Sequence, residues 1–189
     1  MKYARLFAEK YLPGKDTALP NRKQQSLDIE PCFLRWIQVN EESAAQKCID
    51  ETLRLFTEDT LSDMSISDAT FLCGNKKFGL EYVTLLGKLR IKSVHTFDED
   101  ERESRRQKVG FYMGDARVKA TTLHSFKGWE SRILVVYIGG KATRKNLALI
   151  YAGLTRLKRS VRGSCLTVIS SIPELSEFGR EWPSYSEHQ

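Results

Sequence analysis

No apolar run in this sequence is long enough to cross a bilayer. The longest, Ile133–Ile138, falls far short of the roughly 20 residues a spanning helix needs, and Met1 is followed by no signal-like apolar stretch. The expectation is a soluble, cytoplasmic protein with no membrane partner. The four cysteines, Cys32, Cys48, Cys73 and Cys165, stand far apart and form no C-x-x-C pair. That spacing argues against a zinc knuckle and a disulfide framework and leaves them as small core residues. No internal repeat or low-complexity tract competes with a globular reading. Also missing are a G-x-G-x-x-G turn, a cluster of metal-ligating side chains and a nucleophile–base pair, so no metal site is expected and an unrelated nucleotide-binding enzyme finds no support. Acid is absent from one stretch: between Lys141 and Gly163 there are seven basic residues (Lys141, Arg144, Lys145, Arg156, Lys158, Arg159 and Arg162) and no acidic one.

What is present suits one domain. A chain of 189 residues, 41% apolar and 29% charged, can bury one sizeable core and a small appendage. The net charge of +6 favours an anionic partner, although a solvated helix face explains a basic stretch equally well.

Periodicity gives the elements. Residues 2–12 read as a short helix, and Pro13–Pro31 as a polar connector punctuated by proline. Cys32–Val39 reads as a strand, and Asn40 as the cap of a helix carrying Ala45, Cys48, Ile49, Thr52, Leu53 and Phe56 at helical spacing. Ala69–Cys73 is then a strand, Lys76–Leu89 a helix and Ile91–Phe97 a strand. Asp98–Lys108, with five acidic and four basic residues, is an exposed loop or short helix. Val118–Leu123 and Ile133–Ile138 are strands, Asn146–Leu157 a helix, Cys165–Ser170 a strand and Pro173–Phe178 a short helix. This alternation predicts an α/β fold, three layers with a mostly parallel sheet and helices on both faces. Ligands in such folds sit at the carboxyl ends of the strands.

Two segments carry chemistry. In Thr121-Thr-Leu-His-Ser-Phe-Lys-Gly-Trp-Glu130, polar groups leave one strand and enter the next, at the expected ligand edge. Gly128 allows positive φ or close backbone approach, His124 and Lys127 are natural phosphate partners, and Glu130 is an acceptor for ribose hydroxyls. Taken singly, each is also an ordinary loop or surface residue. In Leu147-Ala-Leu-Ile-Tyr-Ala-Gly-Leu-Thr-Arg-Leu-Lys158, Leu147, Ile150, Tyr151 and Leu154 form an apolar stripe. At about 100° per residue Arg156 falls nearly opposite that stripe. It is either a solvated base or a planar, permanently charged fork aimed across a cleft at phosphate.

Together, in this order and spacing, the two segments resemble motifs V and VI of superfamily 1 UvrD/Rep-type DNA helicases, with patterns near T-x-H-x-x-K-G-L-E and Y-V-A-x-T-R-A-K. The resemblance spans residues 31–172, with Phe71-Leu-Cys-Gly-Asn-Lys76 resembling motif IV more loosely. It implies the second of two RecA-like (P-loop NTPase-like) lobes. Residues 1–30 would be a helix and connector from the preceding lobe and residues 173–189 a C-terminal helix and tail. It implies that Arg156 is the arginine finger, that Glu130, Gly128, Lys127 and Tyr151 lie at the nucleotide, and that Thr122, His124 and Lys76 lie at single-stranded DNA or a duplex junction. There are departures. Trp129 stands for the usual Leu, Ser131 for the usual Phe and Ala152-Gly153 for Val-Ala, while Gly74-Asn75-Lys76-Lys77 offers lysines where motif IV commonly carries arginine. Gly153 alone weakens a helix by roughly 1 kcal/mol relative to Ala. The short span between the Ile91 and Val118 strands leaves no room for the large insertion of many relatives.

A motor of this kind needs a P-loop, G-x-x-x-x-G-K-[ST], to cradle the phosphates of ATP and hold Mg²⁺. Gly74 and Gly79 have the glycine spacing, but Leu80 and Glu81 follow. ATP and Mg²⁺ are therefore expected mainly on the preceding lobe, the chain alone is expected to be inactive, and its partners are that lobe and single-stranded DNA. The alternative is a non-catalytic, helicase-like nucleic-acid-binding or regulatory module.

Overall fold

The computed structural model describes residues 2–13, 32–57, 65, 68–98, 100, 102, 107, 111–158, 160 and 162–188. Most of the proline-punctuated connector and of the mixed charge run after Asp98, with Arg159 of the basic stretch, lies outside the described residues. In chain order the elements are α1 (Lys2–Tyr11), β1 (Cys32–Val39), α2 (Ala44–Thr57), β2 (Ala69–Cys73), α3 (Lys76–Lys88), β3 (Ser93–His95), β4 (Val118–Thr122), β5 (Ile133–Ile138), α4 (Arg144–Leu154), β6 (Ser164–Ser170), a 3₁₀ turn (Pro173–Leu175), α5 (Ser176–Arg180) and β7 (Ser184–His188). Seven strands form one sheet in the order β3-β4-β2-β5-β6-β1-β7, and every pairing is parallel.

Local chemistry sets the helix starts. The Asn75 side chain accepts the Phe78 N–H and caps α3, and the Thr143 hydroxyl accepts the Asn146 N–H and caps α4. Asn40 does the same for the turn before α2, its Oδ1 accepting the Ser43 N–H at 2.8 Å.

The sheet is covered on both faces because its strands alternate. On one face Ile37, Phe71, Val118, Val135 and Ile169 pack with Cys48, Ile49, Tyr82 and Leu86 of α2 and α3. On the other, Trp36, Leu72, Leu134, Val136 and Val168 pack with Phe7 of α1, Ile150 and Leu154 of α4 and Phe178 of α5. Each such side chain contributes about 1.5–3 kcal/mol when removed from water. Cys48, Cys73 and Cys165 are buried. Burial pushes the Cys73 thiol up to about 12 and that of Cys165 to about 11, so both are packing groups rather than nucleophiles.

Four differences from the sequence reading matter. The helix expected over Asn146–Leu157 begins two residues earlier and ends at Leu154, with Thr155 as its cap. The final segment contains β7, which pairs with β1 from Arg35↔Ser184 to Val39↔His188. Its alternation, Ser-Tyr-Ser-Glu-His, is too polar to read as a core strand, yet an edge strand needs one partner only. α1 buries Phe7 against Phe178, ring centroids 5.3 Å apart, and so joins the same helix layer as α4. Lys119, inside a strand read as β-branched, is fully buried; its ammonium donates to the Asp115 carbonyl at 2.9 Å.

Candidate functional site

β4 and β5 flank β2, so the chain must cross that strand with only Leu123–Arg132 available, a short parallel crossover. It crosses on the α1/α4 face, burying Leu123 and Phe126 there. It starts at the carboxyl edge, where the Leu123 N–H donates to the Cys73 carbonyl. It ends at the amino edge, where the Ser131 hydroxyl donates to the Asp68 carbonyl at 3.1 Å, just before β2. Gly128 makes the turn with φ of +90°, a conformation that other residues adopt only with strain. Lys127, Gly128, Trp129 and Glu130 are all exposed.

The expectation that all the polar groups of this segment lie at one ligand edge is therefore corrected. Thr122 and His124 stand at the carboxyl edge, and Glu130 stands at the amino edge. The crossover is too short to hold a helix and return, so its two ends land on opposite rims of the sheet.

At the carboxyl edge His124 is exposed. Thr122 is used within the turn, its hydroxyl accepting the Ser125 N–H at 3.1 Å and donating to the Ser125 hydroxyl at 3.0 Å; it shapes the loop that presents His124. Lys76 lies on the same rim at the start of α3, its ammonium donating to the Asp98 carbonyl at 2.7 Å. Gly79, half of the near-miss glycine pair, is buried inside α3 with Phe97 packed against it.

At the amino edge, α4 delivers the second segment. Leu147, Ile150 and Leu154 are buried and Tyr151 is half-buried, as the apolar stripe requires. Arg156 is not on the helix, so helical periodicity does not set its direction. It sits in the turn after the cap, where its Nε donates to the Ala152 carbonyl at 3.2 Å and one terminal nitrogen to the Thr155 hydroxyl at 3.4 Å. The guanidinium thus lies over the negative end of the α4 dipole. It is half-buried rather than enclosed in the core, and its other terminal nitrogen makes no hydrogen bond among the described residues.

The two segments meet through one parallel bridge, Ser131↔Leu157. The Ser131 N–H donates to the Arg156 carbonyl at 3.1 Å and the Lys158 N–H donates to the Ser131 carbonyl at 2.9 Å. Glu130 and Arg156 are the residues immediately preceding the bridged pair. Upstream, Leu123 of the crossover packs on Gly153 of α4. Among the described residues no group of three or more His, Cys, Asp or Glu side chains is placed to hold a metal ion.

Sequence reasoning missed the residues that assemble this edge: Ser131, Thr70, Asp68 and Gly153. The only signals were the departures at Ser131 and Gly153.

A scan against protein-family models and a search of curated proteins find no match. Solved structures do match. The C-terminal domain of a possible DNA helicase from Lactobacillus plantarum WCFS1 aligns with a TM-score of 0.52 at 13% identity, over 85% of this chain and 86% of that one. The C-terminal domain of the DEAD-box protein Dbp5 aligns with a TM-score of 0.51 at 16% identity, over 84% and 90%. A DEAD-box protein from Methanococcus jannaschii aligns with a TM-score of 0.50 at 12% identity, over 84% of this chain and 42% of that one. The likeness at these identities is one of fold. This chain has the fold of the C-terminal RecA-like domain of helicases.

Proposed function

We propose that this chain is the second motor lobe of an ATP-dependent DNA helicase of UvrD/Rep type. In this reading a preceding RecA-like lobe carries the P-loop and holds most of ATP and its Mg²⁺. The amino edge described above closes on that site. The observation that carries the reading is the Ser131↔Leu157 bridge, which brings the ends of two segments distant in sequence to one rim with Glu130 and Arg156 beside it. The fold shared with helicase C-terminal domains supports it, and the UvrD/Rep assignment rests on the two segments themselves.

ATP bound between the lobes supplies the phosphoanhydride whose hydrolysis drives the cycle. Glu130 accepts hydrogen bonds from ribose hydroxyls, while Lys127 and the open backbone at Gly128 line the approach. Tyr151, half-buried on α4, backs the finger turn. Arg156 places fixed positive charge where negative charge develops in the transition state. At the opposite rim, His124, on the turn that Thr122 shapes, and Lys76 lie along the path of single-stranded DNA. One rim meets nucleotide and the other meets nucleic acid, so closure and reopening of the lobes alternate the grip on the strand.

Arg156→Ala, made in the protein joined to its P-loop lobe, tests this. DNA-stimulated ATP hydrolysis falls by about 10³-fold or more, and oligonucleotide affinity changes little. Unaltered turnover removes Arg156 from the mechanism. That result would favour the second reading, a non-catalytic helicase-like module in which Arg156 only caps α4, a role its bond to the Ala152 carbonyl supports.

A further inference from the structure

We infer that Ser131 is a positioning residue: it anchors the turn carrying Arg156 to the sheet, so that Glu130 and Arg156 move as one body. The anchoring follows from the structure alone, and its catalytic consequence rests on the function proposed above.

Ser131 is gripped on three sides. Its backbone N–H and carbonyl are both taken by the Arg156–Lys158 turn, at 3.1 and 2.9 Å. Its side chain, in a residue only 4% exposed, reaches the other way. The hydroxyl accepts from Thr70 Oγ1 at 3.0 Å and lies 3.1 Å from both the Asp68 and Ile133 carbonyl oxygens. One proton serves those two carbonyls, so the hydroxyl is saturated. Thr70 is itself fully buried in β2, which has partners on both sides in the sheet. The oxygen of Ser131 therefore ties a loop to a strand that is paired on both sides.

The turn is held to α4 by the Arg156 N–H, which donates to the Gly153 carbonyl at 3.0 Å, and by Arg156 Nε, and Leu157 packs against the core; its backbone link to the start of β5 is the bridge. The bridge is a single pair of hydrogen bonds flanked by exposed Glu130 and exposed Lys158, and such an isolated bridge opens easily. The Arg132–Asp68 ion pair, 3.7 Å between Nη2 and Oδ2, runs alongside but fixes residue 132 rather than the turn. An alanine at 131 would keep both backbone bonds and lose the side-chain bonds to Thr70 and to the Asp68 and Ile133 carbonyls. It would also leave the Thr70 hydroxyl without its acceptor in a buried site. What it should change is where, and how steadily, the Arg156 turn sits against the sheet.

Amide hydrogen exchange on the 189-residue chain tests the anchoring without reference to catalysis. In Ser131→Ala the amides of residues 131 and 158 exchange about tenfold faster or more, whereas those of Val135 and Val168 in the central strands keep their protection. Ser131→Cys, nearly isosteric and a weak donor, falls between the parent and Ser131→Ala. Unchanged exchange at 131 and 158, or equal acceleration at every amide, overturns the proposal. In the protein joined to its P-loop lobe, Ser131→Ala lowers kcat for ATP about tenfold with KM changed less than twofold, and costs nothing further in an Arg156→Ala background. The same loss in both backgrounds means that Ser131 does not act through Arg156. If Arg156→Ala is itself silent, the arginine finger fails, while the exchange result still decides whether Ser131 anchors the turn.

Discussion

Gly153 of α4 and Leu123 of the crossover lie so close that a β-carbon at position 153 would come within 2.5 Å of Leu123 Cδ2. Gly153 stands in the last turn of α4, where glycine costs at most the roughly 1 kcal/mol, relative to alanine, of a helix interior. Here it gives the helix access to the crossover and so brings the two segments together. Gly153→Ala should therefore lose more to overpacking, about 1–3 kcal/mol, than it gains in helix propensity. The expected net effect is a destabilisation of about 1 kcal/mol, read as a lower urea midpoint with an unchanged slope. Leu123→Ala should cost less in the Gly153→Ala background than in the parent. A Gly153→Ala chain more stable than its parent would show that Leu123 yields without strain.

This contact explains why the fold was more legible than the site. Strands such as Ala69–Cys73 and Ile133–Ile138 coincide with their sequence reading because burial on both faces leaves a continuous apolar run that composition reveals. The apolar stripe of α4 was legible for a similar reason. The end of α4 was not. Thr155 is a weak helix former but Arg156, Leu157 and Lys158 are good ones, so local propensity does not mark the end of α4, after which the chain bridges to Ser131. Nor was the distribution of the first segment over two rims, since that depends on β2 lying between β4 and β5, a pairing order absent from local periodicity. Ser131 reads as a simple departure from a pattern, because a buried hydroxyl network has no signature in one sequence. β7 has the sequence of a tail because Ser-Tyr-Ser-Glu-His carries too few apolar residues to mark a strand, and its place at the sheet edge does not require them.

Acid should act through Asp115. Its carboxylate accepts the Arg117 backbone N–H at 2.8 Å and the Arg117 guanidinium at 2.9 and 2.6 Å. Chiefly through the Arg117 side-chain bonds, and against the opposing effect of burial, its pKa is held down to about 2. The unfolded value is about 3.9, so the folded state favours the ionised form. The resulting stability is complete above the unfolded value and is lost as pH falls through the folded one. Asp115→Asn should accordingly have a lower urea midpoint than the parent at pH 7, and the gap should close between about pH 4 and pH 2. A gap that stays constant over that range would mean that the pair contributes through shape rather than charge.

Nucleic-acid contact should separate from catalysis along the two rims. His124 is exposed at the carboxyl edge, whereas Arg156 belongs to the amino edge, so Arg156→Ala should leave oligonucleotide affinity nearly unchanged while His124→Ala weakens it. One hydrogen bond is worth about 0.5–1.5 kcal/mol net, or roughly 2- to 12-fold in affinity. Thr122 gives a sharper test because its hydroxyl is spent inside the turn on Ser125. If Thr122 acts by shaping that turn, Thr122→Val weakens binding much as His124→Ala does, and the double variant loses little more than either alone. If Thr122 instead contacts the strand directly, the two losses add. Titrations of single-stranded oligonucleotides of different sequence at several salt concentrations, by fluorescence anisotropy, read all of this. Equal affinity for parent and His124→Ala at every salt concentration would take this rim off the path of the strand.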